Sequence, residues 1–71
     1  MPSKSTYVKA IEWIEARRDR EQVIRSSDCK RDIKARSDNE IYRAFSDALK
    51  LDMIGWDQRC YYTIPRVEAP K

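Results

Sequence analysis

Residues 26–64 fix most of what this chain can become, because three hydrophobic patterns follow one another there with little spacer. In residues 28–35, Cys29 and Ile33 lie four apart, which puts both on one face of a short helix with Ser26 and Ser27 as its cap, leaving Lys30, Arg31 and Lys34 outside. Ser37 and Glu40 then suit a capping pair in which the serine bonds the backbone three residues on and the glutamate bonds back, so a new helix starts there. Ile41, Ala44, Phe45 and Ala48 recur at helical spacing, Leu49 extends the stripe, and the alanines allow another helix to approach closely. Beyond Gly55, the only glycine, aromatic and β-branched residues favour two strands around an Asp57-Gln58-Arg59 loop, with Pro65 ending the second.

Upstream, Ser5 or Thr6 can cap a helix whose stripe is Tyr7, Ala10, Ile11 and Ile14, widened by Val8 and Trp13. Residues 17–21 are a charge run that cannot face a core, and Val23-Ile24 is an apolar pair that suits a brief strand. The expected fold class is α+β, in the order α-β-α-α-β-β, as one domain over residues 1–71 with 66–71 a flexible tail. A chain of 71 residues supports a single core in which burial only just exceeds conformational entropy.

Several classes are disfavoured by what the chain carries. Cys29 and Cys60 are the only cysteines and histidine is absent, so thiolates and imidazoles cannot assemble a four-ligand zinc site; two buried, reduced thiols in a reducing cytoplasm are expected. No run approaches the roughly 20 apolar residues of a membrane span, and the first residues lack the apolar stretch of a secretory signal. Without histidine, a phosphate-cradling glycine loop or metal-spaced carboxylates, neither an enzyme nor a cofactor or metal is expected. The formal net charge of +3 leans toward polyanions but is also ordinary for solubility.

The element order and residues 23–65, about three fifths of the chain, resemble the winged helix-turn-helix family. The resemblance lies in pattern, and residues 48–65 look like that family's passage from recognition helix into wing. It implies a small winged domain with three helices and a C-terminal hairpin wing, whose third helix enters the major groove of double-stranded DNA. The function implied is a sequence-specific regulator of transcription or replication, of the compact kind found in phages and plasmids. Single modules of this sort commonly bind repeated half-sites as symmetric pairs, so a homodimer is also expected.

Carried onto this chain, the base-contacting residues are Asn39, Arg43, Ser46 and Lys50, and the phosphate-contacting residues are Arg25, Lys30, Arg31, Lys34, Arg36 and Arg59. Arg43 can hold guanine through a bidentate pair, or it can pair with Asp47 four residues on. Asn39 suits adenine, while its simpler reading is local capping, and Ser37 reads more simply as a cap than as a phosphate contact. Trp56, Tyr61 and Tyr62 read as core and strand-surface packing rather than as base-stacking platforms.

Charge sharpens the question. Residues 17–36 hold eight basic and four acidic side chains, a net +4, whereas residues 37–58 hold two and five, a net −3. An acidic reading segment motivates an alternative, a protein-interaction module that docks a basic partner through its third helix, for example as an inhibitor.

Overall fold

In the computed structural model, which describes residues 4–66, each amphipathic run becomes one element. The order is α1 (Thr6–Glu15), β1 (Val23–Ile24), α2 (Ser26–Ile33), α3 (Asn39–Lys50), β2 (Ile54–Asp57) and β3 (Cys60–Thr63). The strands form one antiparallel sheet in the order β1-β3-β2, so the brief strand from mid-chain pairs with the last strand. Helix α1 packs on α2 and α3, and α3 on β2. Among the described residues, no helix is long and apolar enough to cross a membrane.

Helix α3 supplies the centre of the core, with Ile41, Ala44, Phe45 and Ala48 all buried as their spacing predicts. The Phe45 ring lies 6.4 Å from Trp13 and 4.9 Å from Tyr61, joining α1 to β3. Ala10, Trp13 and Ile14 face it from α1, and Ile24, Cys29, Met53 and Ile54 close the cluster. Val8 does not widen the α1 stripe as expected; it is exposed, and Tyr7 and Ile11 are half-buried. Gly55 lies within β2 beneath the Tyr62 ring, where a Cβ would collide with the phenol.

The helix ends correct several expectations. Ser5 does cap α1, accepting the Val8 N–H at 3.2 Å. Helix α2, however, begins at Ser26 because β1 runs straight into it through extended Arg25, so Ser26 and Ser27 are helical and cap nothing. It stops at Ile33 rather than Ala35, since Lys34 turns left-handed (φ 56°) and the Ala35 N–H returns to the Lys30 carbonyl at 3.0 Å. Asp38, not Ser37, precedes α3, and the expected capping pair with Glu40 is replaced: the Asp38 carboxylate holds Lys30 at 2.9 Å and makes no capping bond. Asp52 (φ 59°) closes α3 in the same left-handed way, with the Met53 N–H on the Ala48 carbonyl at 2.9 Å.

The hairpin is tighter than expected, because Asp57 pairs with Cys60 and leaves only Gln58 and Arg59 in the turn. Both have positive φ (44° and 74°), the geometry whose twist matches the flanking strands. Both cysteines are free. Burial pushes the Cys29 thiol up to about 11, whereas Cys60, expected inside, is only half-buried and donates to the Asp57 carbonyl at 3.1 Å.

Three polar ties lock the layers. Buried Thr63 donates its hydroxyl to the Arg20 carbonyl at 2.7 Å and accepts the Gln22 N–H at 2.9 Å, fixing β3 to the chain entering β1. The Trp13 indole donates to Asp32 at 2.9 Å while Arg17 stacks 3.8 Å from the same ring and reaches Asp32 at 3.3 Å, joining α1 to α2. Arg66, expected in a loose tail, is instead held: it donates to the Glu15 carbonyl and carboxylate, each at 2.7 Å, and its N–H reaches the Arg18 carbonyl. The rest of that tail, residues 67–71, lies outside the described residues.

These ties set the acid response. The Arg66 hydrogen bond holds the Glu15 carboxyl below its ordinary value, and the Trp13 hydrogen bond does the same for Asp32. A lowered folded-state pKa stabilises the fold in full above the ordinary carboxylate value, and that stabilisation is lost as pH falls from there through the folded-state value. The thermal unfolding midpoint is therefore expected to fall between about pH 5 and about pH 3. In a Glu15→Gln, Asp32→Asn variant scanned by circular dichroism, that fall is expected to be shallower, with a lower midpoint at neutral pH.

Candidate nucleic-acid interface

Helix α3 is 12 residues long, about 18 Å, and its buried stripe leaves an opposite face spaced four, three and four: Asn39, Arg43, Ser46 and Lys50. All four are exposed. The side chains expected to touch bases therefore share one outward line, because they are out of phase with the apolar stripe by about half a turn.

The acidic groups of the same segment lie off that line. Asp38 is engaged by Lys30, and Asp47 accepts the Tyr7 hydroxyl at 2.6 Å. Glu40 is half-buried on the flank, and Asp52 and Asp57 lie beyond the helix. The net −3 of residues 37–58 is thus not carried by the outward line, to which Arg43 and Lys50 give +2.

Among the described residues, Arg43 forms no ion pair with Asp47. Its guanidinium carbon lies 5.5 Å from the centroid of the Tyr7 ring on α1. The hydrogen bond to Asp47, with burial and the nearby carboxylate charge, raises the Tyr7 phenol above its ordinary value.

The six basic residues expected on phosphates divide into two groups. Lys30 is held by Asp38, and Arg31 lies 3.4 Å from Asp28 and 3.5 Å from Asp32. Arg25, Lys34, Arg36 and Arg59 are exposed and, among the described residues, form no ion pair. Lys34 and Arg36 occupy the turn that leads into α3. Arg25 and Arg59 line one groove of about 460 Å³ between the hairpin and the start of α2, with Ser26, Trp56 and Tyr61.

Packing accounts for two of the three hairpin aromatics, as expected: Tyr61 lies against Phe45, and Tyr62 covers Gly55. Trp56 differs. It is 56% exposed at the groove, edge-on to Tyr61 with centroids 4.7 Å apart. Tyr42, 58% exposed, lines a second groove of about 250 Å³ between α2 and α3 with Ser26, Ser27 and Lys30. The sequence reading of Trp56 as packing rather than a stacking platform does not hold for its exposed ring, and Tyr42 is not singled out there, its only signal being an aromatic at the edge of an apolar stripe.

No family model matches this chain, and no curated protein or solved structure is significantly similar to it.

The Tyr7–Asp47 contact has a direct readout. A raised phenol pKa stabilises the fold below about pH 10 and ceases to do so as pH rises through the folded value. In an NMR titration Tyr7 is expected to ionise above that ordinary value, and Asp47→Asn is expected to bring it back toward it.

Proposed function

We propose that this chain is a sequence-specific double-stranded DNA-binding protein on a winged helix-turn-helix scaffold, a small regulator of transcription or replication. The observation that carries this reading is the outward line of α3, polar and cationic along its length with its neighbouring acids Asp38 and Asp47 engaged elsewhere. The α-β-α-α-β-β order supports the scaffold.

An α-helix fits the major groove, where Arg43 takes guanine O6 and N7, Asn39 takes adenine, and Ser46 and Lys50 extend the contact. Lys34 and Arg36 grip phosphates beside the start of α3, while Arg25 and Arg59 grip them from the hairpin side. Lys30 and Arg31 contribute less, because each already has a carboxylate partner. Such surface pairs are worth only about 0–1 kcal/mol, so they can still exchange for phosphate. A single module covers a short site, and two copies on repeated half-sites supply the remaining specificity.

Titration of fluorescent mixed-sequence duplex at rising salt, followed by selection from a random pool, tests this directly. The affinity is expected to fall with salt, and one motif is expected to be enriched. Lys34→Ala with Arg36→Ala should reduce the slope of log affinity against log salt by about 2 and keep the motif. Arg43→Ala should relax one base pair by about 5- to 100-fold. Absence of binding even at low salt would contradict the proposal and favour a protein partner for the same face.

A further inference from the structure

Arg43 and Asp47 stand at the spacing that favours an intrahelical ion pair, yet the structure keeps them apart. The reason lies on another helix. Tyr7 of α1 donates its hydroxyl to Asp47 Oδ2 at 2.6 Å, and the Arg43 guanidinium lies 5.5 Å from the centroid of the same ring. The phenol therefore engages one oxygen of the carboxylate that Arg43 would otherwise pair with and ties it toward α1, while its ring offers the cation a face. Among the described residues, Arg43 donates no side-chain hydrogen bond to a protein group. Its planar fork of five N–H donors is left for a bidentate acceptor.

We infer that Tyr7 is a positioning residue for specificity: by holding Asp47 through its hydroxyl and Arg43 against its ring, it keeps the arginine out of an intrahelical ion pair and presents it to a guanine edge. This rests on the DNA-binding reading above. Tyr7 touches no base; it acts through Arg43 on the outward line and Asp47 beside it. Removing only the hydroxyl, as in Tyr7→Phe, keeps most of the packing on α1 but returns Asp47 to Arg43. Removing the charge as well, as in Tyr7→Phe with Asp47→Asn, takes away the competing partner.

The test has two arms. In the free protein, NMR follows the Arg43 side-chain N–H. Asp47→Asn is expected to leave this resonance nearly unmoved when residue 7 is tyrosine and to shift it when residue 7 is phenylalanine. In the DNA arm, binding to the selected motif is compared with binding to the same duplex altered at the base pair that Arg43→Ala relaxes. Tyr7→Phe is expected to lower that preference about twofold, the size of a helical ion pair competing for the arginine, and the added Asp47→Asn to restore it. A merely structural role for Tyr7 predicts a uniform loss of affinity for both duplexes and no rescue, which would overturn the inference. An unmoved Arg43 resonance in every background would overturn it independently of DNA. A wild-type protein that enriches no motif would instead overturn the DNA-binding reading itself, and the specificity role of Tyr7 with it.

Discussion

The packing of Phe45 is the contact on which the other elements depend. Its ring is fully buried in the middle of α3, with Trp13 of α1 on one side and Tyr61 of β3 on another. Truncating such a side chain costs about 3–5 kcal/mol, comparable with the whole stability of a domain this small. Because the buried stripe of α3 must face that cluster, its opposite face has no freedom of direction. Asn39, Arg43, Ser46 and Lys50 point outward for the same reason that Ile41, Ala44, Phe45 and Ala48 point inward.

Polar contacts between elements then decide which charges remain available. The Trp13 indole and Arg17 hold Asp32, Arg66 and Arg18 hold Glu15, Lys30 holds Asp38, and Tyr7 holds Asp47. Each contact takes a carboxylate out of the surface field at one place, and three of them also take a cation. The result is a division within one basic stretch, where Lys30 and Arg31 have carboxylate partners while, among the described residues, Arg25, Lys34 and Arg36 have none. Net charge by segment obscures this division. The −3 of residues 37–58 suggests an acidic face, yet the outward line of α3 is cationic.

The order of elements was legible because it rests on local periodicity, which α3 and the Val23-Ile24 pair express plainly. The outward line was legible for the same reason. Helix ends were less so, since Lys34 and Asp52 take left-handed positions usually marked by glycine, and Gln58 and Arg59 fill a turn that usually carries asparagine and glycine. Ser26 and Ser37 look like caps, but the extended exit of β1 and the Asp38–Lys30 pair move both helix starts by a residue or two. Contacts between distant residues left no trace in spacing: Tyr7 with Asp47, Trp13 with Asp32 and Arg66 with Glu15 join positions 40, 19 and 51 apart. The first engages the acid beside Arg43, the second ties α1 to α2, and the third fixes Arg66 to α1.

In the proposed complex the outward line of α3, the turn before it and the hairpin tip all meet DNA. Backbone amide NMR of the isotope-labelled protein during titration with its selected duplex tests this most directly. The account predicts that the largest shifts fall at Lys34, Arg36, Asn39, Arg43, Ser46, Lys50 and the Gln58-Arg59 turn, while the exposed side of α1 around Val8 and Glu12 stays still. Shifts centred on α1 or on the outer sheet face at Val23 and Tyr62, with α3 unmoved, would contradict it.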